Sequence, residues 1–66
     1  MTYEVGNRVA LIKSMHHTNA RPSEVVGTII EVGQHERFGT VFDVMWDDGD
    51  RGDGLTSGML DVEAAR

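Results

Sequence analysis

The sequence predicts an all-β fold: one small domain of five short strands, closed or nearly closed into a barrel. Three observations predict it. The apolar set is dominated by eight valines, with three isoleucines and three leucines. Carbons branched at Cβ fit a pleated surface better than a helix. Eight glycines and one proline in 66 residues supply many tight turns. No segment sustains the 3.6-residue apolar period of a helix.

The strands follow in order. Val5-Gly6-Asn7 is a turn-like opening. Arg8 to Lys13 reads as the first strand, with Val9 and Leu11 on one face and Ala10 and Ile12 on the other. Ser14 to Glu24 is polar, and Pro22 denies it a ladder hydrogen bond. A loop of that length in so small a domain points to function. Val25 to Val32 is the strongest strand. Its alternation puts Ile30 and Val32 on one face, and Gly27 suggests a bulge or bend. Gly33 to Gly39 reads as a polar loop. Thr40 to Trp46 is the third strand, with Phe42, Val44 and Trp46 inward. Asp47-Asp48-Gly49-Asp50 is a hairpin turn, because Asp-Gly tolerates positive φ. Arg51 to Leu55 makes a short fourth strand. Thr56 to Met59 suits one helical turn, and Leu60 to Val62 a fifth strand before a frayed Ala64-Ala65-Arg66 tail. The expected core is Val9, Leu11, Ile30, Val32, Phe42, Val44, Trp46, Leu55, Leu60 and Val62.

Size and composition bound the function. A chain of 66 residues is a single domain (1–66, core about 5–63) with a thin stability margin. The absence of cysteine excludes disulfides, zinc fingers, iron–sulfur clusters and cysteine nucleophiles. No apolar run approaches a membrane span, and residues 1–6 lack a signal peptide's regions. We therefore expect an acidic cytoplasmic domain with no membrane partner, a complete small protein of bacterial or phage origin. The net charge of -5 is uneven. Residues 1–39 balance to zero, so the whole deficit lies in residues 40–66. Such a field repels phosphate backbones and steers basic partners; its plainer reading is solvation of exposed hairpins.

Val5-Gly6-Asn7-Arg8-Val9 resembles the V-G-D-R-V opening of many SH3-like small barrels. Gly27-Thr28-Ile29-Ile30-Glu31-Val32 resembles their G-x-I-x-x-V strand. Val44-Met45-Trp46-Asp47-Asp48-Gly49 resembles their V-x-W-D-D-G strand and turn. The resemblance covers roughly residues 5–63 of this SH3-like superfamily, which includes Tudor, KOW and chromo-barrel-like modules. Short bacterial barrels with a W-x-D-G turn look most similar. It implies a five-stranded SH3-like barrel with one short 3-10 turn before the last strand. It implies little about function, because small barrels host many roles. Tudor readers of methylated side chains use an aromatic cage. With Phe42 and Trp46 expected in the core, Tyr3 and Phe38 alone would make a poor one. KOW modules contact RNA through basic loops, and here Lys13, Arg21 and Arg37 are the loop cations. The V-Q-I-Y-type strand of plasmid dihydrofolate reductase is absent.

Other chemistry is thin. His16, His17 and His35 could approach one another if the two long loops meet, but adjacent histidines on an extended strand point apart. We read them as exposed loop residues and expect no metal and no cofactor. Asp47, Asp48, Asp50 and Asp53 suggest a calcium loop, yet no frame satisfies the EF-hand template. Arg51-Gly52-Asp53 matches the integrin tripeptide by chance. No G-x-S-x-G or phosphate-binding loop occurs, and so small a barrel has little room for an enclosed pocket. We expect no enzyme. The expectation is a binding module that docks onto another protein, a basic one on the charge reading, with Met15, His16, Arg21, Phe38, Met45, Asp47, Asp48 and Asp50 at the contact. The resemblance implies that loops Ser14–Glu24 and Gly33–Gly39 border one groove. Methionines and Phe38 would give adaptable apolar contact and the aspartates steering. The alternative is a nucleic-acid- or ribosome-associated module using Lys13, Arg21 and Arg37, or an acidic surface imitating DNA. A monomer or a weak homodimer is expected, since open strand edges favour pairing.

Overall fold

A computed structural model describes residues 3–61. Five antiparallel strands form one sheet: β1 (Arg8–Leu11), β2 (Val26–His35), β3 (Gly39–Trp46), β4 (Arg51–Leu55) and β5 (Leu60–Asp61). Their order is β4-β3-β2-β1-β5, so β1 to β4 make a meander and β5 returns beside β1. Among the described residues no ladder joins β4 to β5. The expected barrel is therefore observed as a five-stranded antiparallel sheet without that closing seam. Leu60 on one edge strand and Leu55 on the other both join the cluster of Val9, Ile29, Phe42 and Val44. A single sheet has no second layer to cover its apolar face, so it must curl over that face itself.

Several boundaries differ from expectation. β1 stops at Leu11 because Lys13–Met15 winds into a 3-10 turn, Met15 N–H donating to Ile12 O (2.9 Å) and His16 N–H to Lys13 O (3.1 Å). A second 3-10 turn, Pro22–Glu24, follows. Pro22 costs nothing there, since the first turn of a helix leaves its N–H unpaired anyway. β2 runs on to His35, and the expected loop Gly33–Gly39 shrinks to the turn of residues 36–38. Gly39 closes it at φ 73°, a backbone conformation that other residues rarely adopt. The expected turn at Asp47–Asp50 is present: Gly49 takes φ 97°, and Trp46 N–H donates to Asp50 O at 2.8 Å. The helical turn before the last strand is Ser57–Met59. Val62 and the Ala64–Arg66 tail lie outside the described residues.

The core corrects one phase. Val9, Phe42, Val44 and Leu60 are buried as expected, and Leu11, Leu55 and Trp46 pack half-buried against them. On β2 the buried isoleucine is Ile29 at 0%, whereas Ile30 and Val32 are 37% and 38% exposed. The ladder explains the two isoleucines; Val32 keeps the face of Phe42 but lies in the part of β2 that β1 does not cover. Residues directly opposite in a sheet share a face, and Gly27 faces Trp46 while Ile29 faces Val44. A register shift between Ile29 and Glu31 then inserts one residue, so Val32 returns to the side of Phe42. The bulge sits there and not at Gly27. Gly27 is buried for another reason: a Cβ on it would lie 2.5 Å from Met45 O and 2.9 Å from Trp46 Cε3. Gly52 on β4 is similar, its Cβ position lying 2.9 Å from Trp46 Nε1. The indole occupies the space that two glycines on flanking strands leave free.

Candidate functional site

The loop between β1 and β2 and the turn between β3 and β4 lie at the same end of the sheet, because antiparallel strands return there. Between them opens a cleft of about 380 Å³, lined by Leu11, His17, Glu24, Trp46, Asp48, Asp50 and Arg51. Leu11 and Trp46 are its apolar wall and arrive from β1 and β3. Glu24 and His17 come from the long loop, Asp48 and Asp50 from the turn. No residue of 33–39 lines it. This cleft lies between the first loop and the acidic turn. The second loop sits at the opposite end of β2, because successive connections of an antiparallel meander alternate between the two ends of the sheet.

Arg21 holds the cleft together. Its Nε donates to Glu24 Oε1 at 2.8 Å, its backbone N–H to Glu24 Oε2 at 3.0 Å, and its Nη2 to Asp48 Oδ2 at 3.3 Å. The Asp48 side chain is only 5% exposed, and its other oxygen accepts the Asp50 N–H at 3.0 Å. Glu24 first, and Asp48 second, raise the Arg21 guanidinium above its ordinary value. Asp50 makes no side-chain ion pair among the described residues. It is therefore the open carboxylate of the cleft that Trp46 also lines.

Four other acidic residues contact two arginines on the outer face. Asp47 takes a two-pronged hydrogen bond from Arg8, at 2.7 and 2.6 Å, and Arg8 also donates to Thr28 Oγ1 at 2.9 Å. That bond lowers the Asp47 carboxyl below its ordinary value, with desolvation working against it. Arg51 donates to Asp53 at 2.7 Å and Asp43 at 3.1 Å, with Glu31 at 3.9 Å. Folding offsets part of the charge asymmetry of the sequence: Arg8 and Arg21, from the neutral first 39 residues, pair with Asp47 and Asp48 of the acidic turn.

The expected contact residues separate accordingly. Arg21, Asp48 and Asp50 gather at the cleft, and Met15 stands 41% exposed on the adjoining 3-10 turn. His16 turns its Nε2 onto Leu11 O at 2.7 Å, where it caps the end of β1. Asp47 and Met45 belong to the outer face; Met45 lies opposite Thr28 and Arg51. Phe38 is 64% exposed at the distant tip of the β2–β3 hairpin, its ring 4.8 Å from that of His35. His35 Nδ1 accepts the Arg37 N–H at 3.0 Å, which organises the tip. Of the loop cations, Arg21 is engaged, Lys13 lies on the first 3-10 turn and Arg37 at the hairpin tip. Tyr3 packs edge-on against Phe42 and donates to Leu60 O at 3.1 Å, a core position. Among the described residues no three His, Asp or Glu side chains are arranged to hold a metal ion. Sequence reasoning placed Leu11 and Trp46 in the core only; His17, Glu24 and Arg51 lie in the expected first loop and acidic turn but were not singled out. Trp46 directly before an Asp-rich turn was the available signal, since a strand's last residue reaches the rim.

The chain matches no family model, no curated protein and no solved structure.

Proposed function

We propose that this protein is a small non-enzymatic binding module that docks onto another protein by taking a basic side chain into the Trp46–Asp50 cleft. One observation carries the reading: Asp50, an open carboxylate, and Trp46 line the same cleft of about 380 Å³. An aromatic face and a carboxylate together suit a guanidinium or ammonium group, by cation–π attraction and charge. Arg21 already places one guanidinium against Glu24 and Asp48 on this rim, so the geometry is compatible with that chemistry. The fold reading that accompanies it is the SH3-like barrel. Support comes from the meander β1–β4, the 3-10 turn before β5, and a core that joins both edge strands.

The test is an amide and indole NMR titration with a short peptide of alternating arginine and glycine. Shifts at Trp46 and Asp50 are expected, with affinity falling about five-fold in Asp50→Asn, the equivalent of about 1 kcal/mol. Shifts that map to Lys13 or Arg37 with nucleic acid, and none at Trp46 with the peptide, would replace this reading by the nucleic-acid one.

A further inference from the structure

We infer that two copies of this chain associate edge to edge through β2, the run Glu31–His35 of one copy pairing antiparallel with the same run of the other about a two-fold axis at Gly33. The inference stands apart from the cleft and needs no basic ligand.

The edge is open because β1 is short. Arg8, Val9 and Ala10 cover Thr28, Gly27 and Val26, and the last bonds on that side are Ile29 N–H to Asn7 O (3.0 Å) and Gly6 N–H to Ile29 O (2.8 Å). Gly6 then takes φ 93° and turns the chain away. Beyond it β2 continues for six residues with β3 on one side and no strand on the other among the described residues. All six are exposed, Ile30 and Val32 with them.

Other edges of this sheet are guarded. Among the described residues β5 spans only Leu60–Asp61. β4 carries Arg51 and Asp53, and a register shift with the left-handed Gly54 breaks its line. Short length, charge and irregularity are the usual protections of an edge. The run Ile30–His35 has the bulge at its start, one charged residue, Glu31, and two exposed aliphatic side chains.

A second copy fits this edge on charge and shape. With the axis at Gly33, Glu31 faces the partner's His35 and Val32 faces the partner's Gln34, so no like charges meet. Glu31 would meet its own copy only with the axis at Glu31 itself, where the turn at Gly6 stands in the way. The same operation brings the partner's hairpin tip, with Phe38, towards the turn that carries Val5. Val5 and Phe38, 62% and 64% exposed, are the most exposed large apolar residues described. A two-fold contact covers both open edges at once.

A single cysteine tests the axis in a chain that has none. Gly33 tolerates a side chain: its φ is not left-handed, and the nearest atom to a Cβ is Val41 Cγ2 at 3.9 Å. Residues directly opposite in an antiparallel pair lie about 4.5–5.5 Å apart at Cα, within disulfide reach. Mildly oxidised Gly33→Cys should therefore form a covalent dimer at least about ten-fold faster than Ser14→Cys, whose residue is exposed away from this edge. Equal rates overturn the proposal. Sedimentation of the unmodified chain gives an independent reading. A doubling of mass is expected by about 1 mM, the weak end of specific association, and its loss in Val32→Lys. A wild-type monomer throughout, or a Val32→Lys dimer, overturns it.

Discussion

Replacing Gly27 by alanine should be the most damaging single-methyl change in this protein. The added Cβ would sit 2.5 Å from Met45 O, 2.8 Å from Val44 Cγ1 and 2.9 Å from Trp46 Cε3. The first neighbour is backbone in the paired strand, which cannot swing aside as a side chain can. Overpacking a core costs about 1–3 kcal/mol, and a backbone clash belongs at the upper end. Against this, alanine restricts the unfolded chain and returns about 0.4–1 kcal/mol. The net expectation is a loss of about 2 kcal/mol. For a domain of this size that lowers the melting temperature by about 10 °C. With a urea slope near 1 kcal/mol/M, it lowers the unfolding midpoint by about 2 M. Urea titration read by Trp46 fluorescence measures it, because the indole is one of the clashing groups. Gly33→Ala is the control, its Cβ meeting only Val41 Cγ2 at 3.9 Å. If Gly27→Ala is as stable as Gly33→Ala, the packing of Trp46 over Gly27 is refuted.

Two further predictions concern the core phase and pH. Ile29→Ala should cost about 2–5 kcal/mol by leaving a cavity, while Ile30→Ala at a 37% exposed position should cost under about 1 kcal/mol; paired urea curves with the order reversed would restore the simple alternation. The Arg8 hydrogen bond holds the folded Asp47 carboxyl below its ordinary 3.8. The stabilisation it brings is therefore complete above that value and lost as pH falls through the lower folded one. Asp47→Asn should flatten that acid loss, and urea midpoints at pH 6, 4 and 2.5 that fall in parallel for both proteins would show the bond contributes nothing.

Much of the fold was legible because strands declare themselves by composition and turns by glycine. The Asp-Gly turn, the inward Phe42 and Val44, and the 3-10 turn before β5 all follow from local chemistry. The phase of β2 did not. Two adjacent isoleucines, Ile29 and Ile30, leave alternation ambiguous, and the bulge that resolves it is set by pairing with Asp43 and Val44 on another strand. The length of β2 was hidden similarly: Gly33-Gln34-His35 has weak strand propensity and is held by the ladder to Gly39–Val41. Trp46 was read as core, and its second role at the cleft depends on Gly52, Asp48 and His17 meeting it in space.

The sequence by itself determined the all-β class, the short strands, the Asp-Gly hairpin and the acidic bias of the last 27 residues. These depend on side-chain shape, backbone freedom and charge count, which are local properties. Only the tertiary structure decided which carboxylates stay open. Arg8 reaches Asp47 across 39 positions and Arg21 reaches Asp48 across 27, leaving Asp50 open in the cleft that Trp46 also lines. Ion pairing acts through distance in space, and that distance exists only once the sheet has brought the first loop against the third turn.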